Sequence, residues 1–290
     1  MKTLQYTIRT SKQKLNNNKV VIFCTAFLIL SWTYDQPYLE FVHEKEYPIS
    51  WCVFPFYMTS YSILSFFYFG IVYINSDVPF MQHANMYQVI RTGRRRWAIC
   101  QIGSILVRSL FIVVTSAVSA ILPFTGEIEL SGDWGKVVRS LASHKSGDLF
   151  KEEHSLDFSF SYEILYKFTP VQLMLLTVIL CTLICTLLGI LMFAISLFST
   201  KLIAIAGGLV YVIGFFIVEN TFGRWKPVIA HFVPAYWAEV ALIAKPVDGY
   251  YRLPPLTYMF TVLIASIIIM SLVICLKVKY IEFNWENEDA

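Results

Sequence analysis

Arg91, Arg94, Arg95 and Arg96 fall within six residues of the stretch RTGRRRW, between two of the most apolar segments of a 290-residue chain. Guanidinium groups at that density attract phosphate and carboxylate, which leaves three chemistries open: a nucleic-acid patch, an anchor on an anionic membrane surface, or a dock for a partner protein. No other reactive side chains form a legible catalytic arrangement. Cys181 and Cys185 could share a helix face but lack His or acidic neighbours, and His144 and His154 have no ligand pattern. No Walker loop, HExxH, GxSxG or pair of intramembrane carboxylates is legible. The expectation is a non-enzymatic chain with no catalytic residue, no metal site and no bound cofactor.

Composition separates the three readings of the arginines. With 57% hydrophobic and 15% charged residues and a mean hydropathy of +0.59, the chain belongs in a bilayer. A formal net charge of only +3 carries no global nucleic-acid signature. Cys24, Cys100, Cys181, Cys185 and Cys275 lie inside apolar runs and Cys52 at the edge of one, so no secreted-type disulfide framework is visible.

The elements that must position these residues are helices. A spanning helix needs about 20 apolar residues, and six stretches approach that: 20–34, 53–75, 97–123, 171–198, 202–218 and 256–276. The fold class expected is an all-α integral membrane protein with six transmembrane helices. A long polar lead and the lack of a small-x-small site make the first stretch an uncleaved anchor. Lys2, Arg9, Lys12, Lys14 and Lys19, the arginine cluster, and Lys201, Lys277 and Lys279 fall on one side. By the positive-inside rule that side is cytoplasmic, with both termini there. RTGRRRW then reads as a positive-inside stop with Trp97 as its interfacial ring.

Between the spans lie five further segments. Residues 1–19 read as an interfacial helix carrying Leu4, Ile8, Ser11 and Leu15 on one line and Arg9, Lys12 and Lys14 off it, or as a disordered lead. In the loop 76–96, Phe80, Ala84 and Tyr87 share one helical face and Met86 and Ile90 a neighbouring one, a docking surface for a partner. Residues 124–169 form a long external segment, and 278–290 a cytoplasmic tail. Residues 224–245 enter the outer leaflet as a re-entrant hairpin anchored by Trp225, Tyr236 and Trp237, with Glu219 and Glu239 either hydrated near an exit or ordinary interface groups.

Within the spans, Arg108 lies about 16 Å from Trp97 at 1.5 Å per residue, close to the bilayer middle. There it must find a partner, either helix carbonyls or cargo. Tyr57, Tyr61, Ser65 and Tyr68 form a hydroxyl-bearing stripe on the second span, and Ala204, Gly208, Tyr211 and Phe215 a line on the fifth. Each stripe suits an amphipathic pathway or simple helix packing. The two small residues permit close helix approach, within the chain or across a dimer axis.

The whole pattern resembles the permease subunits of bacterial ABC-2 type exporters. The likeness rests on six spans, IRTGRRRW directly before the third, TPVQ leading into a Leu-rich fourth, and SLFSTKLIAIAGG turning into a Gly-bearing fifth. It implies a pair of such chains, most simply a homodimer, above two separate P-loop ATPase subunits that bind ATP and Mg. In that family a coupling helix between spans two and three transmits ATP closure. Here it maps onto 80–90, with Phe80, Ala84, Met86, Tyr87 and Ile90 facing the ATPase and Arg91, Arg94 and Arg95 flanking it. The second and fifth helices line the path, which assigns Tyr57, Tyr61, Ser65, Tyr68, Tyr211 and Phe215 to it, with Arg108 beside them. The cargo implied is an amphipathic or antimicrobial peptide of the phenol-soluble modulin kind; relatives in the family handle drugs, lipids or polysaccharide. Two other classes stay open: an ion-coupled secondary transporter or channel, and a peptide sensor or immunity protein that binds through 124–169 without transport.

Overall fold

The computed structural model describes residues 2–76, 89–143, 150, 152–153, 160–244 and 253–280. It is almost wholly helical. Five helices are long and apolar enough to cross a membrane: α2 (Asn18–Lys45), α5 (Arg94–Ser119), α8 (Pro170–Ser196), α9 (Lys201–Glu219) and α12 (Leu256–Lys277). Shorter elements are α1 (Lys2–Leu15), α3 (Phe54–Tyr57), α4 (Tyr61–Asn75), α6 (Gly135–Leu141), α7 (Tyr162–Lys167), α10 (Trp225–Ala230) and α11 (Val240–Ile243). Two-residue strands β1 (Ile49–Ser50) and β2 (Ile128–Glu129) pair in parallel, Ile49 opposite Ile128.

Caps set where the helices begin. The Asn17 side chain accepts from the Lys19 amide at 3.2 Å and starts α2. TPVQ is a capping box: Thr169 Oγ1 accepts from the Gln172 amide, Gln172 Oε1 accepts from the Thr169 amide, and Pro170 takes the first turn of α8. The expected second span, 53–75, is instead interrupted. Thr59 Oγ1 donates to the Phe56 carbonyl at 2.6 Å as α3 ends, and Ser60 Oγ accepts from the Ile63 amide at 3.2 Å to start α4. The 15 residues of α4 rise about 22 Å, short of the ~30 Å hydrocarbon core.

The first span also departs from expectation, running to Lys45 rather than ending at Tyr34. Its inner face, Val20, Phe23, Phe27, Ser31, Asp35, Tyr38 and Val42, repeats every three or four residues and so stays packed along the whole helix. The helix ends at Glu46, in the left-handed region at φ 55°, whose N–H bonds the Val42 carbonyl.

Side-chain contacts fix the direction of every pass. Lys19, at the start of α2, donates to Ser76 Oγ just past the end of α4 at 2.6 Å. Arg94, at the start of α5, donates to the Lys279 carbonyl beyond α12 at 3.0 Å, and Lys277 lies over the Phe198 ring at the end of α8. At the opposite end, Tyr61 at the start of α4 packs against Phe215 and edge-on to Phe216 near the end of α9, and His43 meets Glu127 past α5 at 2.7 Å. The long helices and α4 therefore alternate up and down.

α8 is the hub. It packs against α5, α9 and α12, and 72% of its apolar stretch is buried, against 17–44% for the other four long helices. Glycines set the closest approaches: a Cβ on Gly189 of α8 would lie 2.6 Å from Ile105 of α5, and one on Gly208 of α9 would lie 3.0 Å from the Met192 sulfur of α8. Gly208 thus serves packing within the chain. The described part of 124–169 is docked rather than loose: Trp51 and Trp134 donate their indole N–H to the Ser131 and Phe168 carbonyls, and Phe56 packs on Phe160 and Trp134.

Gly189→Val should wedge α5 from α8 and lower the thermal midpoint in detergent, at a cost of about 1–3 kcal/mol. Gly132→Ala, in open space, should leave the midpoint unchanged; equal melting of both variants would refute this packing.

Candidate functional site

Two places bring reactive groups together, one at each end of the bundle. At the α1 end, Arg108 is buried on α5 and donates to Asn75 Oδ1 on the last residue of α4. Ser76, the next residue, holds Lys19, whose ammonium also lies 5.0 Å from the Tyr73 ring centroid. Arg108 therefore sits level with the end of α4 and the start of α2. α5 begins beyond that level, beside the ends of α8 and α12, where Trp97 packs on Phe193 and α1 lies against it: Lys14 reaches Gln101 at 2.6 Å, and Thr7 faces Gly103. A partner was expected for Arg108; the structure gives it a side-chain amide.

Around this node the same end carries Arg9, Lys12, Lys14, Arg91, Arg94, Arg95, Arg96, Lys201, Lys277 and Lys279. Every described carboxylate lies toward the opposite end, from Asp35 and Glu40 on α2 to Glu219 and Glu239. Of the docking residues expected in the loop, Phe80, Ala84, Met86 and Tyr87 lie outside the described residues. Ile90 is 70% exposed and helical, and Arg91, Arg94 and Arg95 are exposed beside it.

At the opposite end the expected stripe divides. Tyr57 is on α3, beyond the helix break, and is buried; Tyr68 is buried and donates to the Ala235 carbonyl; Phe215 is buried as well. Tyr61 is 43% exposed, and Ser65 is partly exposed, its hydroxyl bonded to the Tyr61 carbonyl at 2.5 Å. The outward line of α4 is Tyr61, Ser65, Phe69 and Tyr73, a strict four-residue repeat. Phe216 of α9 extends it, contacting Tyr61 at 5.4 Å and Phe69 at 6.0 Å between centroids. Phe69, Tyr73 and Phe216 were missed because a stripe of hydroxyls selects Tyr68 over its neighbour Phe69. What turns Tyr68 inward is the carbonyl it finds there.

Beneath that line lies a buried polar group around Glu239, a residue expected to be hydrated or at the interface. Between the 3₁₀ turn 234–238 and α11, Glu239 is 1% exposed and its Oε2 has no hydrogen bond. The Tyr211 hydroxyl is likewise enclosed without one, and Tyr68 lies within electrostatic reach of Tyr211, Cys181, Cys185 and Glu239. Glu219 pairs with Lys226 at 3.1 Å on the solvent side of this group. Tyr236 and Trp237, expected as interfacial anchors, are buried; Trp237 donates to the Ala230 carbonyl at 2.7 Å, while Trp225 is exposed. A second buried acid, Asp35, has neither oxygen hydrogen-bonded, and Ser31 one turn before it is also without a partner. The three-and-four spacing from Val20 to Val42 is the signal that would have found it.

Among the described residues no His, Cys, Asp or Glu group could hold a metal. His144 and His154 lie outside them. No family model, curated protein or solved structure matches the chain, so its geometry stands without a relative to read it against.

Burial, reinforced by Glu219 and opposed by Lys226, holds the Glu239 carboxyl well above its ordinary value near 4.5. The folded protein then keeps a proton that the unfolded chain releases, so this group erodes stability as pH rises above that value. Glu239→Gln should raise the thermal midpoint at pH 7, with the gain vanishing toward pH 4. A loss of stability at both pH values would mean an ionised, hydrogen-bonded carboxylate instead.

Proposed function

We propose that this chain is the non-catalytic permease subunit of an ATP-driven exporter of the ABC-2 kind, with α4 completing a set of six spans and the basic end in the cytoplasm of a bacterial cell. ATP and Mg are held by a separate P-loop subunit, and a second copy of the permease completes the membrane part. The observation that carries the reading is the mechanical continuity at the basic end. The loop 76–96 leaves α4 beside the Asn75–Arg108 bond and enters α5, which is tied to α12 through Arg94 and lies against α8. A push delivered at the start of α5 would reach the hub helix α8, against which α5 packs. Ile90 and Arg91, exposed at its rim, suit a partner surface that is part apolar and part acidic.

The proposed cargo is an amphipathic peptide, because the outward line of α4 with Phe216 offers aromatic faces interleaved with hydroxyls. An ion-coupled transporter is the second reading. It is favoured by the two buried acids, Asp35 and Glu239, whose carboxylate oxygens lack full hydrogen bonding.

Vesicles holding the permease and the ATPase encoded beside it decide between these. Peptide-stimulated ATP turnover that falls about tenfold or more in Ile90→Asp/Arg91→Glu, a loss of 1.4 kcal/mol or more of coupling, is the expected result. Peptide movement under a pH gradient without ATP, abolished by Asp35→Asn, would overturn the first reading in favour of the second.

A further inference from the structure

We propose that the elbow between α1 and α2 is a binding site for the phosphate of an anionic phospholipid. The inference needs only that the chain sits in a bilayer and does not depend on the transport reading. Arg9, Lys12, Gln13, Leu15 and Asn16 line a cleft of about 740 Å³ at this elbow, a size that accommodates a lipid headgroup.

Three observations converge on the ligand. First, α1 is fixed in orientation by its other face. Thr10 and Ser11 are buried, Ser11 Oγ donates to the Thr7 carbonyl at 2.8 Å, Thr7 lies against Gly103, and Lys14 bonds Gln101. A helix held that way presents residues 9, 12, 13 and 16, at i, i+3, i+4 and i+7, away from α5. Second, the side chains of Arg9 and Lys12 have no hydrogen bond or ion pair among the described residues, and no described carboxylate lies at this end of the bundle. Two side chains rich in N–H donors thus converge on a cleft that offers them no internal anion.

Third, the cleft adjoins the apolar outer face of α2 where that face begins. Val21 and Ile22 are exposed, as are Ile29 and Trp32 further along, while Ile8 of α1 is exposed beside the cations. An isolated phosphate would use only the cations. A phospholipid uses both parts, its phosphate on Arg9 and Lys12 and its acyl chains along Val21, Ile22 and Ile29. The arrangement also pins the α1 elbow at the leaflet surface, next to the Lys19–Ser76 contact that holds the ends of α2 and α4 together.

The test uses the full chain purified in a mild, uncharged detergent, with lipid binding read by native mass spectrometry and by thermal shift. Phosphatidylglycerol should bind and raise the thermal midpoint, whereas phosphatidylcholine and inorganic phosphate at equal concentration should do neither. Arg9→Gln/Lys12→Gln, both exposed positions, should weaken phosphatidylglycerol binding roughly tenfold to thirtyfold, with the unliganded midpoint unchanged. Arg96→Gln/Lys201→Gln removes the same charge from elsewhere on the same end and should retain wild-type binding. Equal losses in the two double variants would overturn the cleft in favour of diffuse attraction. Inorganic phosphate binding as tightly as the lipid would overturn the lipid assignment, and equal binding of both phospholipids would overturn the anionic selectivity.

Discussion

A guanidinium enclosed among apolar helices must be answered by an acceptor or it drives those helices apart. Arg108 meets that demand through Asn75, and the position of Asn75 is what makes the bond consequential. It is the last residue of α4, it lies against the bare surface of Gly189 on α8, and its neighbour Ser76 holds Lys19 at the start of α2. One polar node thereby sets the mutual height of α2, α4, α5 and α8. The remaining long helices hang on α8 through small-residue contacts such as Gly208 against Met192, so the register established at the node propagates to most of the bundle.

Much of this was legible in the sequence, and the departures have physical causes. Five of the six apolar runs became long helices because hydropathy integrates over many residues and tolerates isolated polar groups. The run 53–75 divided because Thr59 and Ser60 satisfy local backbone groups, an effect invisible to a hydropathy sum. The first helix outruns its apolar segment because periodicity, rather than average polarity, decides whether a face stays packed, and it carries Asp35 on that face. The stripe on α4 was correct at Tyr61 and Ser65 and turned inward at Tyr68, where a tertiary carbonyl won over surface exposure. TPVQ, noted as a likeness, proved to have a local mechanical role as a helix cap.

Charge is distributed along the bundle axis more sharply than the net value suggests. The cations of α1, the arginine cluster and the ends of α9 and α12 share one end, and the described acids share the other, where Lys45, Lys136, Arg139, Lys167, Arg224 and Lys226 stand among them. In the proposed orientation a leaflet rich in anionic headgroups stabilises the basic end, while the opposite end carries a docked, aromatic-rich cap of α3, α6, α7 and the paired strands. The buried acids belong to the capped end, and the exposed aromatic line of α4 starts directly beneath it.

The central claim is that the bundle crosses the bilayer with its basic end inward and that α4 completes a crossing. Single cysteines placed in a background lacking the native six test it most directly, through labelling of intact cells by a membrane-impermeant maleimide. Tyr47→Cys, ahead of α4, and Leu130→Cys and Phe222→Cys, all at exposed positions of the acidic end, should react from outside. Arg96→Cys and Lys201→Cys should react only once the membrane is permeabilised. Labelling of Leu130→Cys and Arg96→Cys from the same side would contradict the account.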